Sequence, residues 1–331
     1  FTKKPKLVRF ICHFHGWQDH VAFGAKGGAT GGPVPGVLDG IIENVILIEP
    51  GNEQLIRETL SSRDDIAGVI MEPTGASFGG VPVTRDFVAA VRDATTENGV
   101  LLMFDEVVTG FRVSPGGAQA YYGITPDLTS LAKILSGGLP GGAVCGRADI
   151  LELLDFEIAE EKGFEKIGHQ GTYNANPMSA VAGVAALTEI RDSDACERAS
   201  ANGAKIRARI NDVFTEENIP WAAFGDHSAW FVYTNPEGRD IDPKSFDGYA
   251  QSFEHMRDLP PTAPRNVMSV SPLAMIDSTE DEPVLPPEPT DAVTTATVSS
   301  LGEEEQNGSA RPDQPFPGKS GFRLLHVSNG R

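Results

Sequence analysis

One lysine stands in surroundings that would change its chemistry. Lys133 lies in Leu131-Ala132-Lys133-Ile134-Leu135-Ser136, followed by Gly137-Gly138-Leu139-Pro140-Gly141-Gly142, and the next basic residue is Arg147. Desolvation among apolar neighbours lowers an ammonium pKa and frees the amine to attack a carbonyl. The same residue type is most often a plain surface lysine, so both readings stand on composition alone. Upstream, Leu101-Leu102-Met103-Phe104-Asp105-Glu106 is an apolar run ending in two carboxylates. Acids at the carboxyl ends of strands sit where ligands gather in open α/β sheets. Three readings are open for Asp105: a Mg²⁺ ligand, an acid on a solvated loop, or the partner of the ring nitrogen of pyridoxal phosphate. The first lacks its companion, because the chain has no G-x-x-x-x-G-K-[ST] loop. Glu106 is expected to be structural, since adjacent strand residues point to opposite faces.

Strands and helices must bring these groups together. Asn44–Ile48, Ile66–Met71 and Val100–Phe104 read as strands, the last continuously apolar as strands buried on both faces are. Glu53–Ser61 and Thr84–Asn98 read as helices, the second stopped by Gly99, and Pro126–Ala132 as a short helix with proline near its start. This alternation predicts an α/β fold with a largely parallel sheet. Pro177–Arg191 is small and apolar, suiting a tightly packed helix, and Ala199–Glu217 reads as a more polar one. Pro220–Thr234 is expected to open a small domain. Beyond Leu259, prolines crowd among Thr, Ser and Glu, a composition that buries too little apolar area to offset its ordering entropy. The expected organisation is a large domain over 1–190, a partial small domain over 191–258 and a disordered tail over 259–331.

Composition narrows the function classes. The 331 residues carry 27 Lys+Arg against 46 Asp+Glu, a net charge of −19 that disfavours nucleic acid and anionic membranes as partners. No apolar run reaches the roughly 18 residues of a membrane span, and Phe1-Thr2-Lys3-Lys4-Pro5 does not open a secretory leader. Three widely spaced cysteines, Cys12, Cys145 and Cys196, suit a reducing, cytoplasmic setting rather than a disulfide framework. His13, His15 and His20 cluster but lack the acids or cysteines of a metal site, so no metal is expected.

Taken together, several runs resemble a known family. Phe104-Asp105-Glu106-Val107-Val108-Thr109-Gly110-Phe111-Arg112, Leu131-Ala132-Lys133 and the glycine-rich Gly137–Gly142 are similar to the signature of class III pyridoxal-phosphate aminotransferases. Gly116-Gly117-Ala118-Gln119-Ala120-Tyr121-Tyr122-Gly123-Ile124-Thr125-Pro126-Asp127-Leu128 resembles a run of the glutamate-1-semialdehyde 2,1-aminomutases within it. The likeness extends from Arg9 to Arg191. It implies the fold type I architecture of pyridoxal-phosphate transferases, helices on both faces of the sheet, and pyridoxal 5'-phosphate as cofactor. Lys133 matches the lysine that attaches to the cofactor and carries a proton between substrate and cofactor carbons. Asp105 matches the carboxylate that keeps the pyridine nitrogen protonated. Val107 would pack on one ring face, and Phe14 stands where the family usually has a stacking tyrosine. Glu72, in Met71-Glu72-Pro73, matches a glutamate beneath the cofactor, where a structural role is as open as a chemical one. Thr172 matches the threonine that reaches the phosphate bound by the partner subunit, so a homodimer is implied. His169 nearby could orient that loop or be a plain loop histidine. The small-molecule substrate would be an amino or keto compound.

Three departures accompany the likeness. The family's phosphate-binding turn has no counterpart before Arg9, an N-terminal truncation relative to the family. Ser77 stands where ornithine- and 4-aminobutyrate-type enzymes tend to have glutamate, which favours the aminomutases or the amine transaminases. The proline-rich end is unlike the family's small C-terminal domain. An amine or amino-acid:pyruvate transaminase, and an inactive remnant, remain the alternatives.

Overall fold

The computed structural model describes residues 1–22, 24, 36–235, 238–248, 267–269 and 322–327. Strand β1 (Lys6–Phe10) is followed by α1 (Asp39–Ile42), β2 (Val45–Ile48), α2 (Glu53–Ser61) and β3 (Ile66–Met71). A tight turn, α3 (Ala76–Gly79), and the short β4 (Val81–Pro82) lead to α4 (Arg85–Glu97), β5 (Leu101–Asp105), α5 (Gly117–Tyr122) and β6 (Leu128–Ala132). After a 3₁₀ turn over Lys133–Ser136 come β7 (Gly142–Arg147), α6 (Ala148–Leu151), α7 (Phe156–Lys162), α8 (Pro177–Asp192) and α9 (Ala195–Glu216). The remaining strands are β8 (Ala222–Phe224), β9 (Phe231–Tyr233), β10 (Val267–Ser269) and β11 (Phe322–Val327).

Among the described residues, seven strands form one sheet in the order β11-β7-β6-β5-β3-β1-β2. The five from β6 to β2 run parallel, while β7 is antiparallel to β6 and β11 to β7. Apolar side chains of β1, β3 and β5 (Val8, Phe10, Val69, Met71, Leu102, Phe104) share one core with Ile56 and Leu60 of α2 and Phe87 and Val91 of α4. The helices start where side chains can satisfy their first free N–H groups. Asn52 accepts from Leu55, Thr84 from Phe87, and Asn176 from Met178 and Ser179. Thr84 and Asn98, read from sequence as helix ends, are the caps of α4.

One expected element is different. Residues 128–132 of the predicted Pro126–Ala132 helix form strand β6, paired on both sides with β5 and β7. Pairing with β5 on one side and β7 on the other, a tertiary influence, overrides the local helix-start signal of Pro126. Helix α9 also begins earlier than its polar pattern suggested. Its first turn is anchored by buried Cys196, whose thiol donates to the Phe111 carbonyl at 3.4 Å.

A second, three-stranded antiparallel sheet, β10-β9-β8, follows α9. Asn211 of α9 bonds both the N–H and the carbonyl of Ala223, and Phe224, Phe231 and Tyr233 pack with Phe78 and Val113. The expected boundary at 190 falls inside the last turn of α8. Two segments of the range expected as tail, β10 and β11, are strands; its other residues lie outside those described. The described residues belong to one compact unit, and Ile276–Ser320 lies outside them. No helix among the described residues is long and apolar enough to cross a membrane.

Candidate active site

Parallel pairing places the carboxyl ends of β1, β3, β5 and β6 along one edge of the sheet, where α/β folds build their ligand sites. The chain leaving β1 brings Phe14 and His15 there, β3 delivers Glu72, β5 ends on Asp105 followed by Val107, and β6 runs directly into Lys133. These six residues line one cavity of about 450 Å³, together with Gly16, Ile70, Ser77, Met103, Val108 and Ser130. Five of the six residues expected from sequence are thus brought together. Thr172 is not among them: it is exposed on the loop between α7 and α8, outside this cavity. His169 on that loop pairs with Asn174 at 3.3 Å.

Asp105 is buried and held from three sides. Its Oδ2 lies 2.7 Å from His15 Nδ1, and its Oδ1 accepts from the Val107 N–H at 3.1 Å and the Ser130 hydroxyl at 3.3 Å. Burial lowers the His15 pKa despite the opposing pull of Asp105, so a neutral ring donating Nδ1–H to the carboxylate fits the geometry. Neither His15 nor Ser130 stands out as an Asp105 partner in the sequence. Ser130 lies directly opposite Asp105 in the β5–β6 register, and His15 is 90 positions away.

Lys133 opens the 3₁₀ turn with φ of 52°, a left-handed conformation that an ordinary residue adopts only when its surroundings hold it there. Helix α8 supplies that hold. Gly183 sits so close to the Leu135 carbonyl, and Gly137 (φ 59°) to that of Ala182, that a Cβ at either would collide. Ser179 donates its hydroxyl to the Pro140 carbonyl at 2.6 Å. Gly137 therefore serves helix packing. The Lys133 side chain stays open to solvent at the cavity mouth. Partial burial lowers its pKa, Asp105 and Glu72 oppose that, and Arg112 adds to it.

Glu72 is buried, and its carboxyl is pushed up to about 8. Burial is the main cause and the nearby Asp105 adds to it, against hydrogen bonds from the Phe14, Ser77 and Phe78 N–H groups. The folded state thus holds this proton more tightly than the unfolded chain, whose glutamates titrate near 4.5. The stability gained is complete below pH 4.5 and lost as pH rises toward about 8. The advantage of the wild type over Glu72→Gln in urea titrations is expected to shrink across that window. A pH-independent difference would refute the assignment.

Glu106 points to the other side of β5, as its position beside Asp105 predicts. It accepts from the Ala118 and Gln119 N–H groups (2.6 and 3.1 Å), the Thr109 hydroxyl (2.9 Å) and Gln119 Nε2 (3.0 Å). It anchors the start of α5.

As a whole, the cavity suits a flat ring with a protonated nitrogen and an aldehyde. Phe14, Val107 and Val108 offer apolar surface, Asp105 a fixed anion, and Lys133 an amine.

Residues 2–220 match the family described as Aminotransferase class-III. The chain is 35% identical over 273 residues to a glutamate-1-semialdehyde 2,1-aminomutase of Methanococcoides burtonii, covering 79% of this chain and 63% of that protein. It is 39% identical over 224 residues to glutamate-1-semialdehyde 2,1-aminomutase 1 of Macrococcus caseolyticus, covering 66% and 51%. The chain therefore spans between half and two thirds of the length of these relatives. Among solved structures, an omega-transaminase from Sphaerobacter thermophilus superposes with a TM-score of 0.63 at 28% identity, over 70% of this chain and 54% of that one. A beta-phenylalanine aminotransferase from Variovorax paradoxus gives 0.62 at 28%, over 78% and 54%. An apolar strand ending in Asp105, a lysine closing the neighbouring strand and these matches converge: the chain belongs to the class-III aminotransferase family.

Proposed function

We propose that this chain carries the catalytic half-site of a pyridoxal-phosphate-dependent amino-group transfer, of the glutamate-1-semialdehyde 2,1-aminomutase kind. The observation that carries the proposal is the single cavity joining Lys133 to the His15-braced carboxylate of Asp105. When bound, pyridoxal phosphate supplies an aromatic electron sink for the electrons released when a carbon beside the amine loses its proton. The chain's own residues have distinct tasks around it. Asp105 would keep a proton on the ring nitrogen, because a buried anion beside a pyridinium raises that nitrogen's pKa. His15 and Ser130 keep the carboxylate oriented. Phe14 and Val107 would offer the ring apolar surface, and Glu72 lines the same cavity. The Lys133 amine would hold the cofactor's aldehyde and, once released, move the proton at the reacting carbon.

Relatives named as aminomutases support that branch, and Ser77 leaves the cavity wall without an extra carboxylate. The transaminase structures favour the second reading, an amine or amino-acid:pyruvate transaminase. We further propose a cytoplasmic homodimer in which Thr172 serves the neighbouring subunit's site. Support comes from its position outside this cavity and from Met178, Val181 and Val184 of α8, which are 72%, 71% and 67% exposed along one stripe.

The test is to add pyridoxal phosphate to the purified chain, desalt it, and follow the near-visible absorbance. Glutamate 1-semialdehyde is then supplied alone, and an amine with and without pyruvate. Retained absorbance and turnover of the semialdehyde without a keto acceptor support the aminomutase. Strict dependence on pyruvate would transfer the assignment to the transaminase. No retained cofactor would refute both. Sedimentation measures the dimer directly.

A further inference from the structure

The segment leaving β1 folds back on the sheet through an exchange of hydrogen bonds at a histidine with no role in the chemistry above. His13 is fully buried, and its Nδ1 accepts the Glu72 backbone N–H at 3.0 Å. One residue on, the Phe14 N–H donates to Glu72 Oε1 at 2.8 Å. One further, His15 Nδ1 meets Asp105 Oδ2 at 2.7 Å. Three successive residues are thereby tied to the ends of β3 and β5. The two imidazoles lie 6.1 Å apart, and the intervening Phe14 lines the cavity.

His13 is held in turn. The Arg9 guanidinium donates to its carbonyl at 3.2 Å, and its ring packs on Phe10 at 5.4 Å. A ring nitrogen that accepts a backbone N–H carries no hydrogen, so the imidazole must be the neutral form with its proton on Nε2. Burial, aided by His15 and Arg9, holds the His13 pKa well below the ordinary value and keeps that form over the working range. An aliphatic side chain of similar size would fill the space but leave the buried Glu72 N–H without an acceptor.

We infer that His13 is a positioning residue: through Nδ1 it fixes the Glu72 main chain, and with it sets Phe14 at the cavity wall before any ligand enters. The inference rests on the proposed function only in what Phe14 is positioned for. The bracket itself is a property of the unliganded chain.

Two variants and one spectroscopic measurement test it. His13→Leu removes the acceptor, whereas His13→Asn returns one through Oδ1. In the unliganded protein, amide hydrogen exchange at Glu72 and Phe14 is expected to speed up about tenfold or more in His13→Leu, the factor that about 1.4 kcal/mol represents. Exchange in α4 should be unchanged, and His13→Asn should recover most of the protection. Pyridoxal phosphate affinity, titrated by absorbance, is expected to follow the same order. Nitrogen NMR of the wild-type chain should show His13 as the Nε2–H tautomer from pH 5 to 8.

Unchanged exchange at Phe14 and Glu72 in a folded His13→Leu chain overturns the inference, as does a charged or Nδ1–H imidazole. Failure of His13→Asn to recover protection also overturns it. If His13→Leu does not fold, the tautomer and the Asn variant still decide. If the wild type retains no cofactor, the proposed function fails while exchange and tautomer still judge the bracket.

Discussion

Lys133→Ala is expected to abolish amino-group transfer, lowering turnover by about 10⁴-fold or more, the upper range for loss of a positioned acid–base group. The retained near-visible absorbance should disappear with it, and borohydride should no longer fix the cofactor to the chain. The structure makes this a clean experiment. Lys133 is exposed at the cavity mouth, and its turn is held by α8 through Gly183, Gly137 and Ser179 rather than by the lysine side chain. Urea midpoints of variant and wild type should therefore agree closely. A variant that still traps cofactor under borohydride would place the attachment on another amine, and the assignment of Lys133 would fall.

Glu106→Ala should have the largest effect on stability, with no direct contact to the cavity. The carboxylate is fully buried and receives four hydrogen bonds, two from backbone N–H groups at the start of α5. Removing it leaves those N–H groups buried without an acceptor, at about 1–3 kcal/mol for each. A loss of about 3–5 kcal/mol is a large part of the roughly 5–15 kcal/mol that holds a typical domain together. The site also tolerates little rearrangement, because Gly117 (φ 72°) lies so close that a Cβ there would meet the Glu106 carboxylate. Glu106→Gln keeps one acceptor oxygen and should cost less. Urea denaturation followed by far-UV circular dichroism measures both; an unchanged midpoint in the alanine variant would show that water or a rearranged α5 takes over these donors.

These two carboxylates show what the sequence could and could not convey. Asp105 and Glu106 are adjacent on one strand, so alternation alone separates a cavity group from a structural one. Strands β3 and β5 and helices α2 and α4 are legible for the same reason: period, caps and stops all lie within a few residues of one another. Strand β6 was obscured because its state is decided by β5 and β7 on either side, and its five residues carry too short a period of their own. The partners of Asp105 were hidden by distance. His15 approaches from 90 positions away, and Ser130 reaches it only through cross-strand register. His13 read as one of three clustered histidines, since nothing local announces that a backbone N–H of Glu72 will arrive at its ring.

The open position of Lys133 carries a further meaning. Protein surrounds its ammonium only in part, and the nearby Asp105 carboxylate favours keeping it charged. The chain alone therefore takes the amine only part of the way toward its reactive form. The exposed side of the amine faces the cavity of about 450 Å³ that Lys133 lines with Asp105 and Glu72. A ligand that covered the mouth would remove water from around the amine, and desolvation lowers an ammonium pKa, so filling the cavity would push Lys133 further toward the free base.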